Sequence, residues 1–180
     1  RRGQCSTESI VDATAVEALA ESTCVLHATG EVSCVGSAGH GPFGDQGAGP
    51  HVPVPVAGVH NATELRGAWQ ITFQWDYETP NISVELGAAC ALTPEGLICW
   101  GVVPSPGPAS PGAMPPALGP APVVVSTDAI STFAVGPRHI CTAGPTGVAE
   151  CWGHNTHGAL GEGSYPLALV PRPVTLSGIE

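Results

Sequence analysis

Charged side chains are scarce in this chain: Asp, Glu, Lys and Arg make up 11% of its 180 residues. With 5 basic residues against 15 acidic ones, the surface lacks the Lys and Arg surplus needed to neutralise phosphates. That excludes sequence-independent binding to nucleic acid and adsorption to anionic membrane. No run of eighteen or more apolar residues occurs, so no segment reads as a membrane-spanning helix and no membrane insertion is expected. The start, Arg1-Arg2-Gly3-Gln4-Cys5, lacks the apolar centre of an export signal, and the expectation is that any such signal has already been removed. The glycine-rich run from Gly158 to Gly163 lacks the Lys and Ser/Thr that complete a phosphate-binding loop. The carboxylates Asp45, Asp76, Glu95 and Asp128 are scattered, with no pairing that spacing defends as an acid and base. Neither an enzyme nor a cofactor is expected.

What is present is glycine and proline, 24 and 19 of them, in a chain that is still 43% hydrophobic and therefore apolar enough to fold. The combination implies short strands and many turns. The length suits one domain, taken as residues 1–180. Six of the 7 cysteines fall into close pairs: Cys24 with Cys34, Cys90 with Cys99, and Cys141 with Cys151. Cys5 is left over. Paired cysteines at repeated spacing read as disulfides from an oxidising compartment, whereas a metal cluster would want Cys-x-x-Cys. The sequons Asn61-Ala62-Thr63 and Asn81-Ile82-Ser83 agree with a secretory route, which makes covalent glycans on Asn61 and Asn81 an expectation.

The cysteine pairs mark an internal repeat. Copy one runs from Ala20 to Gly36, copy two from Leu86 to Gly101, and copy three from Gly136 to Gly153. Each keeps the order cysteine, glycine-bearing turn, cysteine, glycine. Two runs of small and β-branched residues around Gly30, Gly96 or Gly147 predict a β-hairpin with its cysteines opposite one another. A disulfide there closes a small loop, so it is worth about 2 to 3 kcal/mol at most and mainly pins register.

After copy three comes Cys151-Trp152-Gly153-His154-Asn155-Thr156-His157-Gly158-Ala159-Leu160-Gly161-Glu162-Gly163, then Pro171-Arg172-Pro173-Val174. This pattern resembles the repeat of the regulator of chromosome condensation family, whose members form β-propellers. Copy one is similar but degraded, with Val35-Gly36 in place of Trp-Gly, then Gly41-Pro42-Phe43-Gly44-Asp45 and Pro53-Val54-Pro55-Val56. Copy two keeps Cys99-Trp100-Gly101 and then departs. The resemblance implies an all-β fold of propeller-like blades, each a four-stranded antiparallel sheet. Equivalent cysteines recur after roughly fifty to sixty-five residues, one blade plus loops, so about three blades fit. Propellers of the family usually close with seven, which implies a fragment, a ring shared between chains, or an open array with ends to cap.

Two segments interrupt the repeat. Residues 102–122 form a proline-rich loop carrying Pro104, Pro106, Pro108, Pro111, Pro115, Pro116, Pro120 and Pro122, for which an extended polyproline II path is expected. It reads as a blade-to-blade loop, as a docking ligand for an aromatic-lined groove, or, by its resemblance to hydroxyproline-rich surface glycoproteins, as hydroxyproline carrying O-glycans. The insertion Trp69-Gln70-Ile71-Thr72-Phe73-Gln74-Trp75-Asp76-Tyr77 alternates apolar and polar residues and reads as a strand, for core packing or as an aromatic surface. His154 and His157 sit in a glycine-rich loop without a third ligand, so no metal is expected. His139 beside Cys141 reads as structural. Cysteine-histidine catalysis would need a free thiol, and Cys5 is expected to pair with another chain or another part of this one.

The resulting expectation is an extracellular or cell-surface structural or adhesive glycoprotein that self-assembles with neighbouring chains, in a filament or matrix. The alternative is a secreted propeller that recognises one partner protein, as the secreted β-lactamase inhibitory propellers of similar fold do. A small-GTPase exchange factor, as in the nuclear founder of the family, conflicts with the disulfides and sequons.

Overall fold

The computed structural model describes residues 10–19, 22–36, 53–75, 80–101, 121–155, 158–161 and 167–174; for 70–75, 80–87 and 167–170 it describes the backbone. The expected hairpins are present, and each is flanked by one further strand on either side. Blade 1 contains β1 (Ala13–Leu19), β2 (Ser22–His27), β3 (Val32–Gly36) and β4 (Val54–Pro55). Blade 2 contains β5 (Glu64–Trp75), β6 (Pro80–Thr93), β7 (Gly96–Gly101) and β8 (Val123–Ser126). Blade 3 contains β9 (Thr132–Val135), β10 (His139–Ala143), β11 (Ala149–His154) and β12 (Leu167–Pro173). Within every sheet the strands pair antiparallel in chain order. Short strands joined by glycine turns favour such a meander, because antiparallel neighbours need no long crossover.

Period-two alternation sends each hairpin's side chains to two faces, and both faces find a neighbouring blade only in the middle sheet. All six residues of β7, Gly-Leu-Ile-Cys-Trp-Gly, are buried. Leu97 and Cys99 pack toward blade 3 while Ile98 and Trp100 pack toward blade 1. A strand covered on both sides therefore reads as an uninterrupted apolar run.

The face a blade turns toward its successor is here termed leading, and the opposite face trailing. At the first joint the leading residues Leu19, Cys24, Leu26, Val32 and Cys34 meet Leu65, Ala89, Ala91, Ile98 and Trp100. At the second joint Ala88, Cys90, Leu97 and Cys99 meet Phe133, Ile140 and Trp152. Each fully buried Leu or Ile there contributes about 1.5 to 3 kcal/mol. Gly67 keeps the first joint close, because a Cβ at that position would run into the end of Leu19. The first strands of successive blades, β1 with β5 and β5 with β9, lie beside one another and form the inner edge of the stack.

The segment read as an insertion is continuous with blade 2. β5 runs on through Trp69 to Trp75, paired with β6 from Gly87 to Pro80, with one irregularity between Trp69 and Gln70 where β6 accommodates an extra residue. The extension sets Ile71, Phe73 and Trp75 opposite Val84, Ile82 and Pro80, and Thr72 and Gln74 opposite Ser83 and Asn81. By register, one face of this ribbon is apolar in sequence and the other polar.

Candidate functional site

The paired cysteines are disulfides: Cys24–Cys34, Cys90–Cys99 and Cys141–Cys151, with Cα atoms 4.0, 4.1 and 4.1 Å apart. Each joins residues directly opposite in the hairpin register, Cys24 facing Cys34, Cys90 facing Cys99 and Cys141 facing Cys151. All lie on leading faces. The first two bridges are fully enclosed in joints, whereas Cys141 is only half-buried. Cys5 lies outside the described residues, as do Pro104, Pro106, Pro108, Pro111, Pro115, Pro116 and Pro120. Pro122 is half-buried immediately before β8.

Asn61 is exposed in the bend before β5, with a left-handed φ of 52°, so this sequon is open to solvent. Asn81 lies in β6 opposite Gln74, on the polar face of the ribbon. Trp69, at the base of the ribbon, is 47% exposed, which places one large aromatic at the surface.

Blade 1 carries a polar chain that the sequence reading missed. His27 Nδ1 lies 2.7 Å from Asp12 Oδ1, and His27 Nε2 lies 2.6 Å from Ser33 Oγ. A carboxylate only accepts, so Nδ1–H donates to Asp12, which leaves Nε2 as the acceptor for the Ser33 hydroxyl in the tautomer that carries one ring proton. Carboxylate, imidazole and hydroxyl follow the order of a hydrolase triad. A nucleophile, however, must be open to an acyl carbonyl, and Ser33 is 6% exposed in the middle of a strand. Here the chain ties the bend before β1 to β2 and β3. One signal was readable: Ser33 stands where copy two has Ile98, one residue before the second cysteine.

His154 is the last residue of β11, opposite Leu167, and not part of the glycine-rich loop as its neighbours Gly153 and Gly158 implied. The loop that follows is fixed by Asn155, fully buried, whose Oδ1 accepts from the Leu160 amide at 3.0 Å. Burial holds the pKa of His139 below its ordinary value. His154 is lowered by burial and then by the charge of Arg138. Among the described residues no group of His, Cys, Asp and Glu is arranged to hold a metal. His157 lies outside them. An open cleft of about 400 Å³ sits between the β6–β7 turn and the connection from β8 to β9, lined by Thr63, Leu92, Pro94, Thr127, Asp128 and Ile130.

The chain is similar in structure to yeast RCC1 (Prp20) in its complex with Kap60, with a TM-score of 0.60 and 16% identity over 92% of this chain and 37% of that one. It is also similar to Prp20p from Saccharomyces cerevisiae, described with that protein's binding to Gsp1p and histones, with a TM-score of 0.62, 17% identity, and coverage of 92% and 39%. Human WBSCR16 matches with a TM-score of 0.50, 17% identity, and coverage of 99% and 56%. At these identities the likeness is one of fold, and the fold is an RCC1-like set of propeller blades. The chain spans less than two thirds of each of these proteins. Neither a family model nor a curated protein matches the sequence.

Proposed function

We propose that this chain is an extracellular structural or adhesive glycoprotein that works by holding neighbouring protein chains, without catalysis. The observation that carries the reading is the staple inside each blade: every described cysteine is paired across a hairpin, which suits an oxidising compartment. The exposed Asn61 sequon supports the same compartment, and the yeast neighbours of this fold bind proteins. No helix among the described residues is long and apolar enough to cross a membrane. Cys5 and the proline-rich stretch 102–122 supply candidate covalent links to other chains and to glycans.

The test uses native material: non-reducing intact mass, glycopeptide mapping and cross-linking. The expected result is three intrachain disulfides, a glycan on Asn61 and cross-links to other protein chains. A chain carrying no glycan and cross-linking to nothing would end this reading. A single stoichiometric partner of unrelated sequence would replace it with a dedicated binding module.

A further inference from the structure

Among the described blades two faces meet no other blade, the trailing face of blade 1 and the leading face of blade 3. The disulfide register makes positions in the three blades comparable one by one. Where blades 2 and 3 turn Trp100 and Trp152 into a joint, blade 1 has Val35. Leu65 and Phe133 correspond to Val16, and Ala89 and Ile140 correspond to Thr23. Ile98 and Glu150 correspond to Ser33, and Thr93 and Gly144 to His27. Both tryptophans are 0% exposed, so the largest side chain of each internal joint is the one that blade 1 lacks.

The rest of that face is closed or polar. Val25 and Ser33 at its centre are buried at 5% and 6% exposure, which leaves no slot for an incoming tryptophan. The inner strand stays open, with Val16 60% exposed. Asp12, at the end of the chain through His27 to Ser33, has a side chain 41% exposed, and a blade laid over it would strip its water with only His27 in compensation. In Val35, Thr23, Ser33 and His27 this face is smaller or more polar than the matching faces of blades 2 and 3 at the two joints. The leading face of blade 3 is trimmed as well: Ala143 stands at the position of Leu26 and Leu92, and Ala149 at that of Val32 and Leu97.

We infer that the trailing face of blade 1 is not a joint for a blade of a second copy of this chain, so copies do not build a ring through it. The inference deepens the proposed function by excluding this face from the chain-to-chain contacts that the function requires. The test is sedimentation equilibrium of the disulfide-intact chain over a wide concentration range, comparing wild type with Val16→Glu and Ala18→Arg. Both residues are exposed on that face, and matching thermal melts check that the variants fold. The expected result is an association state unchanged within about twofold in either variant, whether the chain is monomeric or assembled. A loss of association of about tenfold or more in either variant would overturn the inference while leaving the proposed function standing. Failure of the proposed function shows separately, as native material that cross-links to nothing.

Discussion

Glycine does different work at two equivalent turns, and substitution should separate them. Gly96 has a φ of 127°, and a Cβ there would sit against the Ser126 carbonyl oxygen, a backbone atom that cannot step aside. Gly147 has a φ of 80° with open space around it. Gly96→Ala should cost about 3 kcal/mol or more, and Gly147→Ala about 1 kcal/mol, in paired denaturant titrations. Equal costs would contradict the close approach of β8 to the turn. His27 offers a second residue-scale test. His27→Ala leaves the Ser33 hydroxyl buried without its acceptor and should destabilise by about 1 to 3 kcal/mol. Adding Ser33→Ala to that variant should recover part of the loss, since the stranded hydroxyl is then gone. The need for glycine at the turns was legible in the sequence. The His27 chain was not, because Asp12 lies just before β1 and His27 ends β2, and only the pairing of those strands brings the groups within reach.

At the scale of the element, the stapled hairpins were read correctly down to which cysteine faces which. Two cysteines that flank a glycine turn in short β-branched runs can meet only across a hairpin. Their environments, by contrast, depend on position in the stack. Cys24–Cys34 and Cys90–Cys99 are sealed by the next blade, while no described blade covers Cys141–Cys151 and Cys141 is half-buried. Thiol exchange needs access for the attacking thiolate. Graded mild reduction followed by alkylation and peptide mapping should therefore label Cys141 and Cys151 first. Simultaneous labelling of all three pairs would mean that reduction follows global unfolding. The ribbon of β5 and β6 was legible as a strand from its alternation. That it continues blade 2, with no break into a separate element, was decided by its pairing with β6 from Gly87 to Pro80.

For the whole molecule, pH dependence follows from the two shifted histidines. Unfolded histidine titrates near 6.5, and burial lowers His139 in the folded chain, with His154 lowered by burial and by Arg138. Between the lowered value and 6.5 the unfolded chain binds the proton and the folded chain does not, so stability rises with pH across that window. Stability should be complete above about pH 6.5 and fall as pH drops below it. Melting temperatures measured from pH 7.5 downward should decline, and His139→Gln should flatten part of the decline. A His139→Gln profile parallel to wild type would show that its burial is not linked to folding. The number of blades was likewise legible, because cysteine spacing counts repeats. The neighbours of each face were not.

By itself the sequence determined the strands, the turns, the disulfide pairs and the kinship of the repeats, since all of these depend on residues close along the chain or on period-two alternation. Tertiary structure alone decided what each face meets. Val35 in place of tryptophan looked like decay of a repeat when read along the chain. Set against Trp100 and Trp152 at the joints, it marks the one blade face of this kind that meets no other described blade.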